Sequence, residues 1–154
     1  MPPEFRRRIE AATPALYAAA REQYGLELNQ GPLGANSRPA LVGAKYAEEQ
    51  GVGPAYHDAV FRAYWQRAAD IGDRELLADI AAGVGLERAA FLAALAQPQY
   101  NAAVDADIAE AHAYNLSGVP AMILAQRYLV VGAQPYPVLK QAVEQVLAAL
   151  GGGA

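Results

Sequence analysis

The stretch that decides the fold begins at Ser117-Gly118-Val119-Pro120 and continues as Ala121-Met122-Ile123-Leu124-Ala125, Gln126-Arg127 and Tyr128-Leu129-Val130-Val131. Two short apolar runs, separated by a polar break and bounded by turn residues, predict a β-hairpin. Both runs are almost continuously apolar, as strands are when both faces of their sheet are covered. We therefore expect a buried hairpin, and Pro120 at the start of its first strand.

The hairpin is followed by a turn and a helix. Gly132-Ala133-Gln134-Pro135 contains turn residues, and Pro135 suits the first position of a helix, where its missing N–H leaves no hydrogen bond unmade. The residues after it have the clearest amphipathic pattern in the chain and predict a helix over 135–150, stopped by glycines at 151–153. Its apolar stripe consists of Val138, Leu139, Ala142, Val143, Val146 and Leu147.

The first 114 residues predict a series of helices separated by glycine and proline. One helix begins after Pro2-Pro3 and ends at Gly25, and Thr13-Pro14 could restart it midway. Residues 26–36 form the longest loop, in which only 26–29 could serve as a weak third strand. The later helices are expected over 37–50 with Asn36 or Ser37 as N-cap, from Gly53-Pro54, after the N-cap Asp73, after Gly85, and after Gln97-Pro98.

These patterns predict one domain over 1–154 with two parts. A helical subdomain covers 1–114, and a strand–hairpin–helix half covers 115–150. The fold class is α/β and mostly helical. Two strands alone are marginally stable in water and leave unpaired edges, so the sequence implies sheet partners that it does not obviously encode.

Composition narrows the function classes. The 154 residues are 54% apolar and 18% charged, which is typical of a compact protein. The net charge of −4 argues against a nucleic-acid partner, because neutralising phosphates needs a basic face. The basic cluster Arg6-Arg7-Arg8 is interpreted as a solvated helix face. No apolar run is long enough for a membrane span, and no apolar leader is visible, so a cytoplasmic location is expected.

The chain contains no cysteine, which excludes disulfides, zinc–thiolate sites and thiol catalysis by this chain alone. His57 lies on an apolar helical stripe with Val60, Phe61, Tyr64 and Ala68, and we interpret it as a packed histidine. His112 lies near a helix C-terminus, where an imidazole is mildly favourable. Neither histidine has metal-ligand spacing, so no metal and no cofactor is expected.

An ordered series of motifs resembles the DsbA-like family of thioredoxin-fold oxidoreductases, in its FrnE-like branch. The series runs from about Gly25 to Leu150, most of the chain, in the order found in the family. Its members are Asn36-Ser37-Arg38-Pro39-Ala40-Leu41, Ala47-Glu48-Glu49-Gln50-Gly51, Tyr56-His57-Asp58-Ala59-Val60-Phe61-Arg62-Ala63-Tyr64, Ile71-Gly72-Asp73, Gly85-Leu86-Glu87, Ser117-Gly118-Val119-Pro120 and Gly132-Ala133-Gln134-Pro135.

The resemblance implies a truncated thioredoxin-like fold with an inserted helical subdomain. Relatives begin with a strand, a Cys-Pro-x-Cys-type motif and a second strand, and the present chain is similar to the region after that second strand. The resemblance also implies that the Val119–Pro120 bond is cis and that Gly118, Val119 and Pro120 face a peptide or thiol substrate. Gln134 would lie on the same face. The activity implied is that of a thiol–disulfide oxidoreductase, here without its redox cysteines and inactive alone.

Two alternatives stay open at the level of sequence. In the first alternative, the chain is a cysteine-free module that binds a peptide or small ligand. In the second, it is a relative of the glutathione-dependent branch, which includes 2-hydroxychromene-2-carboxylate isomerases and kappa-class transferases. The turn at Ala125-Gln126-Arg127 departs from the Asn, Asp or Gly that relatives tend to carry, so a two-residue primed turn is not assured.

An uncovered strand edge and the stripe on the last helix also predict a homodimer.

Overall fold

The computed structural model describes residues 2–151 and is mostly helical, which confirms the predicted fold class. Within that range lie seven helices and a single antiparallel pair of strands. In chain order they are α1 (Pro3–Tyr24), α2 (Arg38–Glu49), α3 (Gly53–Arg67), α4 (Arg74–Gly83), α5 (Arg88–Ala94), α6 (Pro98–Ala113), β1 (Ala121–Leu124), β2 (Tyr128–Val131) and α7 (Tyr136–Gly151).

Helix α1 is continuous, so the predicted restart at Thr13-Pro14 is wrong. Pro14 lies inside the helix and offers no N–H to the turn before it. The Thr13 hydroxyl donates to the Ile9 carbonyl at 2.9 Å, one residue before the carbonyl that Pro14 leaves unpaired. Gly25 ends the helix at φ 64°, the left-handed conformation predicted for it.

The chain forms two compact units, residues 1–106 and residues 107–154. The division falls within α6. The sequence patterns placed the boundary between residues 114 and 115, and that boundary remains a prediction. The core of the first unit is built from α2 to α6, with Tyr56 and Phe91 at its centre, 5.5 Å apart between ring centroids. Tyr46 packs edge-on against both Phe91 and Tyr100.

Side-chain caps fix several helix starts where the sequence expected them. The Asp73 carboxylate accepts from the Glu75 N–H at 2.9 Å and caps α4, as predicted. At α2 the Asn36 side chain accepts from the Arg38 N–H at 3.1 Å, while Ser37, the residue before the helix, makes no side-chain cap. The Ser37 hydroxyl is therefore left available.

The segment 26–29 is not a strand, which corrects the weak expectation of a third one. It belongs to a loop that attaches to the C-terminal end of α3. The Asn29 N–H donates to the Trp65 carbonyl and the Gly31 N–H donates to the Tyr64 carbonyl, each at 2.6 Å. The Ala68 N–H donates to the Asn29 carbonyl at 2.9 Å. Gly31 lies so close to α3 that a Cβ atom there would collide with the Ala69 carbonyl and the Tyr64 ring.

The second unit carries the hairpin. β1 and β2 pair with Ala121 opposite Val131 and Leu124 opposite Tyr128. The Arg127 N–H donates to the Leu124 carbonyl at 3.2 Å across the turn. Ala125 and Gln126 have φ of 50° and 56°, so this turn has the two positive φ angles of a type I′ turn despite its residues.

The prediction of a buried hairpin is wrong for the described residues. No residue of either strand is fully buried, and Met122, Leu129 and Val131 are among the exposed large apolar side chains. The apolar sequence predicted cover on both faces, but in the described part of this unit the cover comes from α7, which packs against β2. Each strand also keeps one edge without a partner strand among residues 2–151.

Helix α7 forms where the amphipathic pattern predicted it. Its apolar stripe, however, is largely uncovered: Val146 is buried, whereas Val138, Val143 and Leu147 are exposed. The helix includes Gly151, so the predicted stop at 151–153 lies mostly outside the described residues. In the described part of the chain, no helix combines the length and apolarity that crossing a membrane requires.

Candidate substrate-binding site

The Gly118-Val119-Pro120 loop leads directly into β1. Its Val119–Pro120 peptide bond is cis, and Val119 is 95% exposed. The Pro120 carbonyl accepts from the Gly132 N–H at 2.8 Å, which ties the start of β1 to the end of β2. The loop is thus held at one end of the hairpin.

The backbone of Val119 has no partner in the described part of the chain. Within residues 2–151, no hydrogen bond engages its N–H or its carbonyl. Backbone polar groups are obligatory hydrogen-bonding groups, and here they face solvent beside a strand. An extended peptide that lies along this loop would find one donor and one acceptor in place.

Gln134 lies at the same end of the hairpin. Its side-chain nitrogen donates to the Val131 carbonyl at 2.7 Å, and Val131 pairs with Ala121, the residue after Pro120. The fold therefore brings together all four residues that the sequence singled out. The amide nitrogen of Gln134 is engaged in holding the 132–135 turn, which gives this residue a positioning role that the sequence did not predict.

This end of the hairpin carries no charge. The segments 117–124 and 129–139 contain no Asp, Glu, Lys or Arg. Arg127, whose guanidinium lies 5.9 Å from the Tyr128 ring centroid, belongs to the opposite end at the turn. The loop therefore suits neutral, extended backbone better than a charged group.

The site contains no nucleophile for thiol chemistry, because the chain has no cysteine. The interpretation of His57 as a packed core residue is wrong: its ring is exposed and stacks on Phe61, with centroids 4.4 Å apart. His112 is exposed in the last turn of α6. No cluster of three His, Asp or Glu side chains within residues 2–151 is placed to hold a metal ion.

A second feature was missed at the level of sequence: a cavity of about 370 Å³ in the first unit. The helical stripe that carries His57, Phe61 and Tyr64 lines this cavity, which the apolar pattern alone did not predict. The buried residues of α3 include Tyr56, Val60 and Ala63, and of these Tyr56 and Val60 also contribute to the cavity wall. A helix with apolar residues on two adjacent faces was the available signal, because one face suffices for a core.

Comparison with known proteins gives a consistent result. The family model for the DSBA-like thioredoxin domain matches residues 8–144. The uncharacterized protein YwbO of Bacillus subtilis is 30% identical over 130 residues, which are 79% of this chain and 62% of YwbO. The chain therefore spans less than two thirds of that relative.

Solved structures share the fold, among them a probable oxidoreductase and an isomerase. A probable DsbA oxidoreductase from Streptomyces coelicolor superposes with a TM-score of 0.76 at 30% identity, covering 92% of this chain and 62% of that protein. A 2-hydroxychromene-2-carboxylate isomerase gives a TM-score of 0.76 at 23% identity, covering 97% of this chain and 72% of the isomerase. The second likeness shows the fold alone and assigns no substrate.

Proposed function

Since the chain belongs to the DSBA-like thioredoxin domain family, we propose that it binds peptide substrates of thiol–disulfide exchange at Gly118, Val119 and Pro120 and carries out no exchange by itself. The observation that carries the proposal is the unpaired, exposed backbone of Val119 beside Pro120. The 30% identity to a probable DsbA oxidoreductase supports the DsbA side of the family, and the motif series supports its FrnE-like branch.

The geometry of the loop supports one mode of binding. An extended peptide pairs with the Val119 N–H and carbonyl, as in recognition by strand addition, where main-chain hydrogen bonds supply affinity. No Asp, Glu, Lys or Arg occurs along 117–124 and 129–139, so these segments offer no partner for an ion pair with a charged peptide side chain. Gln134 holds the adjacent turn through its bond to Val131.

The lack of exchange activity follows from chemistry. Disulfides are broken by attack of a thiolate on sulfur, and this chain offers no thiol. In an insulin-reduction assay with dithiothreitol, the chain should add nothing to the rate of the buffer. Turnover above the buffer rate, with contaminating thiol proteins excluded, would contradict this part of the proposal.

Binding is tested separately, with fluorescein-labelled, carboxymethylated insulin B chain as the extended probe. We expect saturable fluorescence anisotropy with the wild type. Gly118→Val should weaken binding at least fivefold, because a Cβ at Gly118 meets no atom of the chain and the added side chain would occupy open space beside Val119, where the proposed peptide lies. The matched control is Gly83→Ala, also free of internal contacts. Equal binding by wild type and Gly118→Val would rule out this loop.

We also propose that the chain forms a homodimer through the second unit. The unpaired strand edges and the exposed residues Val138, Val143 and Leu147 support this. A pair of β1 edges around a two-fold axis is antiparallel by symmetry and would extend the sheet to four strands. Such pairing satisfies backbone groups and covers apolar surface in one step.

A further inference from the structure

The cavity of the first unit has the dimensions of a small-molecule site. Its volume of about 370 Å³ is at the lower end of the range of roughly 300–1,000 Å³ found for ligand pockets. That volume is sufficient for one or two fused rings. Its walls come from α2, α3, the loop that precedes α2 and Ile71 in the segment after α3.

Aromatic pairs form one side of the cavity. The His57 and Phe61 rings stack at 4.4 Å with an angle of 26° between their planes. Tyr64 and Trp65 meet edge to face at 5.1 Å and 89°. Flat π systems pack best on such surfaces, by offset stacking or edge contact.

The rim of the cavity is apolar and open to water. Leu41 is 48% exposed and Phe61 is 51% exposed, although both are large apolar side chains. Covering them removes apolar area from water, which supplies the driving force for a ligand. None of the lining residues is Asp, Glu, Lys or Arg, so an uncharged ligand matches the cavity and a charged one would lose its hydration without a partner.

Several polar side chains of the lining make no hydrogen bond to the described residues, among them Tyr56, whose hydroxyl is buried, and Ser37 and His57. The Ser37 hydroxyl makes no cap to α2, and the His57 ring nitrogens have no partner among the described residues. By contrast, the Tyr64 hydroxyl contacts the Pro32 carbonyl at 3.4 Å. A single polar substituent on a ligand would therefore find both a donor and an acceptor.

We propose that this cavity binds a neutral, flat aromatic molecule of one or two rings that carries one hydroxyl group. The rings lie against His57, Phe61 and Trp65, and the hydroxyl bonds to Ser37 or His57. This site is distinct from the loop at 117–120 and does not depend on the proposed peptide binding.

The chain offers its own reporter for the test. Trp65 is the single tryptophan, so its indole N–H gives one resolved peak in a ¹H–¹⁵N correlation spectrum of the full chain. Titration with 2-naphthol should shift this peak saturably, together with the amides of Gly34 and Ser37. Decahydro-2-naphthol, equally large but not flat, should bind at least tenfold more weakly, and so should 2-naphthoate, which is charged.

Variants separate the cavity from unspecific binding. Ala44→Phe fills the cavity from α2 and should abolish the shift, whereas Ala55→Phe adds the same ring on the exposed face of α3 and should leave it intact. Phe61→Ala removes one wall at an exposed position that tolerates truncation and should weaken binding at least fivefold. An unchanged Trp65 peak, or equal affinity for all three compounds, would overturn the proposal.

Discussion

At the scale of single residues, the Tyr56 hydroxyl is the informative atom. Among the described residues it is the buried side-chain polar atom that has no hydrogen-bond partner. A buried unpaired polar group costs roughly 1–3 kcal/mol. We therefore expect Tyr56→Phe to raise the free energy of unfolding in urea by about 1 kcal/mol. Tyr64→Phe, whose hydroxyl contacts Pro32, is the control and should not stabilise. A loss of stability in Tyr56→Phe would show that the hydroxyl has a partner.

The same residue predicts a dependence on alkaline pH. Burial raises the pKa of Tyr56 above its ordinary value of 10.0, and burial is also the largest cause that raises the pKa of Tyr100. Above pH 10 the unfolded chain loses protons that the folded chain keeps. Stability is therefore complete below pH 10 and falls as the pH rises, by at most about 1.4 kcal/mol per pH unit for Tyr56. Urea unfolding from pH 8 to 11 should show this fall, and Tyr56→Phe should make it shallower. Identical slopes for the two proteins would contradict it.

At the scale of elements, the hairpin turn holds two residues in an unfavourable conformation. Ala125 and Gln126 have positive φ, which Asn and Gly adopt far more readily. Replacing them together by Asn and Gly should stabilise the chain by roughly 1 kcal/mol, because left-handed backbone costs other residues about that much. Thermal unfolding measures the gain. A lower melting temperature in Ala125→Asn/Gln126→Gly would mean that the turn differs from the one described.

The loop that precedes α2 depends on Gly31. A Cβ there would collide with the Ala69 carbonyl and the Tyr64 ring, and backbone cannot give way as a flexible side chain can. We expect Gly31→Ala to destabilise the chain by roughly 1–3 kcal/mol, as overpacking does. Gly83→Ala, where a Cβ meets nothing, should cost nothing. Equal stability of the two variants in urea would show that the loop does not pack on α3.

The sequence predicted where helices and strands lie better than it predicted which of their side chains are buried. Helix limits at Gly25, Asp73 and Pro98 were predictable because caps and breakers act locally. The hairpin was predictable from its two apolar runs, but its burial was not, since burial depends on chain segments that lie beyond the local pattern. The cavity was missed because periodicity does not distinguish an apolar side chain in a core from one in a pocket wall. At the 117–120 loop, the binding role of the four residues singled out by the sequence stays a prediction, and the bond from Gln134 to Val131 is visible only in the structure.

At the scale of the whole molecule, the exposed apolar face of the second unit predicts association. Light scattering at low micromolar concentration should give the mass of two chains. Val143→Lys, on the exposed stripe of α7, should shift the mass to one chain, whereas Lys140→Glu at a polar position of the same helix should not. A monomeric wild type at that concentration would end the dimer proposal.

Binding of extended peptide is proposed at one end of the hairpin, where Gly118 to Pro120 meet the turn at 132–135. The decisive experiment is a ¹H–¹⁵N correlation spectrum of the chain, titrated with unlabelled carboxymethylated insulin B chain. Saturable shifts should appear at Gly118, Val119 and Gly132 through Gln134, while the Trp65 indole peak stays in place. Shifts confined to other residues, or no saturable shift at all, would contradict peptide binding at this loop.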